Sequence, residues 1–193
     1  IIDAVNNLST TTVVDVTSST GKIWMDRNLG ASQVATSSAD TDSYGDLYQW
    51  GRSEDGHQIR TSTTAAGPVA SGSEGANFII GSNSNWLTIQ DNTLWQAGSN
   101  DPCPTGYRIP TETELNNERS AFSSSNAAGA YASALKLPVA GNRHRSIGLL
   151  KSVGSYGSYW SSTVNGVNAI NLGFNSSLVE MDSNSRANGY SVR

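Results

Sequence analysis

Apolar and polar positions alternate most cleanly in the C-terminal part of the chain. From Ala169 to Asn175, Ile170, Leu172 and Phe174 interleave with Asn171, Gly173 and Asn175. A period of two predicts a strand with one apolar and one polar face. Tyr159-Trp160-Ser161-Ser162-Thr163 reads as the strand before it, and Asn165-Gly166 between the two is a two-residue hairpin signal. Leu178 to Met181 and Tyr190 to Arg193 read as further strands, which makes the C-terminal third an antiparallel meander. On this parity Trp160, Leu172 and Phe174 share the core face, and the polar positions between them face solvent.

Nearer the start, the β-branched run Thr11 to Val16 predicts a strand, and Thr20-Gly21 turns the chain into a second one, Lys22 to Asp26. Asn28-Leu29-Gly30 ends that hairpin. An acidic lead-in followed by Leu47, Tyr48 and Trp50 predicts a short helix from about Ser43 to Trp50, closed near Gly51. Residues Arg52 to Asn85 are rich in Gly, Ser, Thr and Ala and read as a long irregular excursion, which usually covers or binds something. The clearest local signal is "CPTGYRIPTETEL", Cys103 to Leu115. Thr111 and Glu114 form a capping box, so a helix should start there and run to about Phe122, before the stretch "SSSNAAGA". Leu135 to Val139 reads as a short strand or extended segment limited by Pro138. No repeat or linker divides the chain.

The 193 residues fit one domain, 1–193, with an α+β fold: two short helices, antiparallel sheets and much irregular loop. Only 15% of residues are charged and 19 are Gly, which argues against a helical bundle. The net charge is −4 and no basic cluster stands out beyond Arg143, His144 and Arg145, so nucleic acid is not an expected partner. No apolar run approaches the roughly 20 residues of a membrane span. Ile1 opens directly into ordinary domain sequence without a signal-peptide pattern, which says little about compartment.

Candidate chemistry is sparse. Cys103 is the one cysteine, and catalytic use would need a base, for which only His57 and His144 are available. No third metal ligand is evident beside those histidines. Asp40, Asp42 and Asp46 are spaced like the front half of a calcium loop, but Tyr44 occupies a ligand position and Gly51 stands where a bidentate Glu belongs. An acidic helix N-terminus explains the same residues. Trp24, Trp50 and Trp160 lie inside predicted elements and belong to the core. Trp86 and Trp95 lie in the loop-rich middle, where core packing is favoured over ligand contact. No cofactor is implied and the chain does not read as an enzyme.

Taken in order, "GKIWMDRNLGA", "YGDLYQWGR", "DGHQIR", "CPTGYRIPTETEL", "LPVAGNR", "YWSST" and "GYSVR" resemble the FISUMP family of major paralogous domains. The resemblance spans about Gly21 to Arg193. It implies a C-type-lectin-like fold and a setting outside the cell, on a cell surface or a virion. The C-terminal stretch from about 159 to 193 further resembles the variable region of diversity-generating retroelement target proteins, whose templates are rich in mutable Asn codons. Asn165, Asn168, Asn171, Asn175, Asn184 and Asn188 fit such a template, although Asn is also a natural residue of turns. Family members often carry a cysteine after the last "VR" that could pair with the one in "CPTGYR". The sequence here stops at Arg193, which leaves open a trimmed partner or an absent bridge. The calcium-dependent sugar motifs of the lectin fold, Glu-Pro-Asn with Trp-Asn-Asp, are not present.

The expected function is recognition of a protein or glycan ligand through the polar side of the meander. The residues expected to carry it are Val164, Asn165, Val167, Asn168, Asn171, Gly173, Asn175, Ser176, Glu180 and Asp182. Val164 and Val167 enter because apolar residues beside a hairpin turn have no obvious core duty. Two other classes stand beside it: a structural, pilus-like or adhesive surface domain, and an enzyme of the formylglycine-generating type.

Overall fold

The computed structural model describes residues 12–96 and 99–193. Of the first predicted strand, Thr11 lies outside the described residues. The fold is α+β, with two α-helices and several mostly antiparallel sheets.

The predicted meander is present as a three-stranded sheet of β8 (Gly157–Asn165), β9 (Asn168–Phe174) and β10 (Val179–Ser185), with β9 central. Its register sets Tyr159 opposite Leu172 and Trp160 opposite Asn171. Directly opposed residues share a face. Tyr159, Leu172 and Phe174 therefore point together toward α1 (Glu112–Ser120) and α2 (Ala127–Ala132), where they pack with Leu115, Ala130, Leu135 and Leu137. Trp160 and Ala169 point the other way, into a second core with Tyr48, Trp50, Tyr190 and Val192.

This corrects the predicted solvent face. All of β9 after Asn168 is buried, on both sides. Trp160 is buried as expected, but it sits on the face of Asn171 and not on that of Leu172 and Phe174. The physical reason is a layer of loops and short strands that covers the second face, which a period of two cannot reveal.

That layer holds a four-stranded sheet in the order β3 (Tyr48–Gln49), β11 (Gly189–Tyr190), β6 (Asn142–Arg143) and β7 (Leu150–Lys151). β3 replaces the helix predicted over 43–50. Leu47, Tyr48, Gln49 and Trp50 are all buried, as suits a short strand enclosed on both faces, and only one 3-10 turn, Thr41–Ser43, precedes it. Of the last predicted strand, Tyr190 to Arg193, only Tyr190 lies in a strand, β11 of this sheet, and Ser191 makes a single parallel bridge to Tyr159, so no fourth strand of the meander forms.

The excursion from Arg52 to Asn85 contains a parallel pair, β4 (Thr64–Ala66) with β5 (Phe78–Ile80), whose Ile79 joins Trp86, Leu87 and Ala187 in a small core. Of the predicted segment Leu135 to Val139, Leu135 lies in a turn and Lys136 takes φ +47°, so it is neither a strand nor extended at its start; Leu135, Leu137 and Val139 are buried. β1 (Asp15–Thr17) and β2 (Ile23–Met25) form the predicted hairpin. Buried Glu118 of α1 ties it down by accepting bonds from Ser18 Oγ and Trp24 Nε1. The capping box forms as read: Glu114 N donates to Thr111 Oγ1, and Thr111 N donates to Glu114. The six-residue α2, N-capped by Asn126, arises inside the "SSSNAAGA" stretch where no helix is predicted. No helix of the described residues is long and apolar enough to cross a membrane.

Candidate ligand-binding surface

β8 and β9 are joined by the two-residue loop Gly166-Val167, with Asn165 opposite Asn168. The turn is one residue later than the Asn165-Gly166 signal suggests. Gly166 has φ +58° and no other loop residue here has a positive φ, which is the pattern of a type II′ turn with glycine at its first central position. Before the tip, the register shifts between Trp160 and Val164, and Ser161 Oγ donates to the carbonyl of Ile170.

One buried side chain organises this tip. Arg186, 1% exposed, donates from Nη2 to the Gly166 carbonyl at 3.0 Å and from Nε to the Asn168 carbonyl at 3.2 Å. Its other bonds reach the segment after Leu87: Nη1 to the Asp91 carbonyl at 3.0 Å and Nη2 to Asn92 Oδ1 at 2.7 Å. Its guanidinium carbon lies 4.5 Å from the centre of the Trp50 ring. Burial lowers the pKa of Arg186 to about 10, which leaves it charged at neutral pH. Gln90 Nε2 adds a second bond to the Gly166 carbonyl, at 2.9 Å.

The expected site residues divide sharply on this frame. Asn165, Val167, Ser176, Glu180 and Asp182 are exposed and Asn168 is half-buried. Asn171 is 1% exposed, and its Oδ1 accepts from Asn184 Nδ2 at 2.9 Å, so it is an internal residue. Gly173 is buried beneath Tyr156, whose hydroxyl a Cβ at 173 would strike. Asn175 Oδ1 accepts from the backbone N–H of Ser177 and Leu178 and so holds the β9–β10 turn. Val164 packs against the second core, so only Val167 is the free apolar residue expected beside the turn. Ser176 belongs to the far end of β9, roughly 20 Å from the tip at about 3.3 Å per residue. The structure thus gathers Asn165, Val167 and Asn168 at the hairpin end of the sheet, places exposed Asp182 mid-way along β10 opposite Asn171, and leaves out Asn171, Gly173, Asn175, Ser176 and Val164. Glu180 lies further along β10, opposite Gly173.

A polar network runs beside this cluster. Asn165 Nδ2 donates to Ser183 Oγ, and Asn184 Nδ2 donates to Asp182 as well as to Asn171. Asn188 donates to Tyr190 and accepts from the backbone of Arg145, which fixes it in place.

The remaining candidates have structural occupations. Buried His57 accepts at Nε2 from the Gln49 backbone and faces Asp55 Oδ1 through Nδ1 at 2.6 Å. Burial lowers its pKa to about 4, so it is neutral at pH 7. His144 Nδ1 accepts from the backbone of Ser146. Burial pushes the Cys103 thiol far up, helped by the Asp101 carboxylate. Asp40 caps the 3-10 turn and accepts from Gln33, Thr36 and the Asp42 backbone, in line with the capping explanation of the acidic stretch, though on a shorter turn than the predicted helix. Burial raises Asp46 to about 6, with the Glu54 carboxylate adding to the rise. All five tryptophans are buried. Trp86 Nε1 donates to the Trp50 carbonyl and Trp95 Nε1 to that of Asn100, so both are core residues.

Sequence reasoning missed Arg186, Gln90 and Asn92. Arg186 falls in a polar run with no periodicity, and Gln90 and Asn92 lie in "LTIQDN"; neither stretch carries a pattern. Comparison with protein-family models, with curated proteins and with solved structures finds no match to this chain.

Proposed function

We propose that this chain is a ligand-recognition module with a C-type-lectin-like fold, displayed outside the cell or on a virion, whose C-terminal surface is diversified by a retroelement. The observation that carries this reading is the division at the β8–β9 hairpin. The backbone of the tip is clamped by Arg186 through the Gly166 and Asn168 carbonyls, while the side chains of Asn165 and Val167 stand in solvent. A rigid frame whose exposed side chains do not set the fold is what recognition by variable residues requires. The ordered motifs from "GKIWMDRNLGA" to "GYSVR" support the same reading.

Sequencing the DNA beside the gene tests the proposal. The expected result is a near-repeat of the segment encoding residues 159–193, differing mainly at adenines, with a reverse-transcriptase gene nearby. Absence of both would remove diversification and leave a fixed binding surface.

One observation favours a second reading, a structural or adhesive surface domain. Ile147, Leu149, Leu150 and Val153 are exposed around β7, an edge strand of its sheet. Apolar side chains beside an open edge suit lateral packing between subunits. Concentration-dependent sedimentation that is abolished by Leu149→Ser would favour it.

A further inference from the structure

Glycine follows an asparagine at two places in the chain, Asn165-Gly166 and Asn188-Gly189, and an aspartate at one, Asp55-Gly56. In such pairs the peptide nitrogen of the glycine can attack the side-chain carbonyl carbon before it, because no Cβ hinders the approach. The reaction needs an accessible side chain, a peptide N–H that no acceptor holds, and backbone free to turn. The fold meets these conditions at one pair and withholds them at the other two.

Asn188 is fixed at both ends of its amide, by the backbone N–H of Arg145 and by the Tyr190 hydroxyl. Gly189 is buried in β11 between β3 and β6, where a Cβ would lie 2.8 Å from the Phe78 ring. Asp55 Oδ1 accepts the backbone N–H of His57 and faces its Nδ1, and Oδ2 accepts from Nε and Nη2 of Arg52. Neither side chain can swing onto the peptide that follows it.

Asn165 and Gly166 are exposed at the hairpin tip. The Gly166 N–H makes no hydrogen bond among the described residues. Arg186 and Gln90 hold the carbonyl of Gly166, which leaves its nitrogen unengaged. One bond of 3.2 Å, from Nδ2 to Ser183 Oγ, holds the Asn165 side chain, and nothing lies within 4 Å of a Cβ built on Gly166. Asn165 and Asn168 form the last pair of the β8–β9 ladder, where local opening costs least.

We infer that Asn165 is a site of spontaneous deamidation. The Gly166 nitrogen bonds to Asn165 Cγ, the Cγ–Nδ2 bond breaks, and ammonia leaves with the proton that the attacking nitrogen gives up. Water then opens the resulting succinimide at either carbonyl, to aspartate or to isoaspartate. Both products place a new negative charge on the tip. Isoaspartate also lengthens the main chain by one methylene just before Gly166, whose carbonyl Arg186 holds.

Peptide mapping of the full chain after prolonged incubation at mildly alkaline pH tests this, with one sample folded and one in guanidinium chloride. Trypsin cuts after Arg186 and so separates the two Asn-Gly pairs, and fragmentation localises the change. The folded sample should show a gain of about one dalton at Asn165, split between aspartate and isoaspartate, at least tenfold faster than at Asn188. In guanidinium chloride the two rates should converge, because unfolding removes the bonds that fix Asn188. Asn165→Gln should abolish the change at 165 and keep the thermal midpoint. An Asn165 that stays intact in the folded sample but converts in guanidinium chloride would show that the clamped turn protects it, and would overturn the inference. Equal conversion at Asn165 and Asn188 in the folded sample would overturn it as well.

Discussion

The guanidinium of Arg186 lies 4.5 Å from the centre of the Trp50 ring and at the same time bonds the carbonyl of Gly166, 3.0 Å away. A single side chain thus connects the second core to the outermost turn of the sheet. The same device recurs in this loop-rich fold. Arg52 donates to the carbonyls of Gly75 and Asn77, Arg143 to those of Ile59, Ser62 and Gly148, and Arg193 to those of Asp26 and Leu135. Irregular backbone cannot satisfy its own carbonyls, and a buried guanidinium with five donors does so for several segments at once.

Arg186→Ala should therefore be among the most damaging substitutions in the domain. It would remove one donor each from the carbonyls of Asp91, Asn168 and Gly166, of which Gly166 keeps Gln90 Nε2, and remove the contact with Trp50, at a cost of about 3–5 kcal/mol. Urea melts of the variant check this. Arg186→Lys should recover only part of the loss, because an ammonium cannot span the same fork.

Phe174→Ala and Asn171→Ala provide a contrast across one strand. Phe174 is fully buried against α1 and α2, and its truncation should cost roughly 3–5 kcal/mol. Asn171→Ala should cost about 1–2 kcal/mol, since it buries no apolar ring but removes an internal acceptor from Asn184. Asn165→Ala, at the exposed tip, should stay within about 0.5 kcal/mol. Equal effects at 165 and 171 would show that the second face of β9 is open to solvent.

Acid stability should carry two opposing contributions. His57 is held to about 4 against 6.5 for an ordinary imidazole, so its stabilisation is complete above pH 6.5 and is lost as pH falls through 4. That loss amounts to roughly 3 kcal/mol. Asp46 is raised to about 6 from 3.8, so its contribution has the opposite sign: present below pH 3.8 and lost as pH rises through 6. Asp46→Asn should steepen the fall in stability between pH 6.5 and 4. His57→Gln should flatten or invert it. Urea midpoints at pH 4.5 and pH 7 for both variants decide the matter.

What the sequence disclosed was local. The Thr111–Glu114 box is written in four residues, and the alternation of Ile170, Leu172 and Phe174 correctly marks a strand. The same alternation mispredicts Asn171 and Gly173, because burial of a second face depends on Trp50, Tyr190 and Arg186, which come from distant positions. Leu47, Tyr48 and Trp50 fit a short apolar run of either kind, and enclosure on both sides made them a strand. The site was half legible. Asn165 and Val167 follow from the hairpin, whereas Gln90 and Arg186 join them only through bonds to the Gly166 carbonyl that no spacing encodes.

Capping supplies a modest internal check. Thr111→Ala should destabilise the domain by about 1 kcal/mol, read as a shift in urea midpoint without a change in slope.

The most direct measurement of the central claim is deep sequencing of the 3′ end of this gene across its natural population. The account predicts amino-acid variation concentrated at Asn165, Val167, Asn168 and Asp182, with Trp160, Leu172, Phe174 and Arg186 constant. Uniform sequence across the population, or variation spread equally over those buried positions, would contradict it.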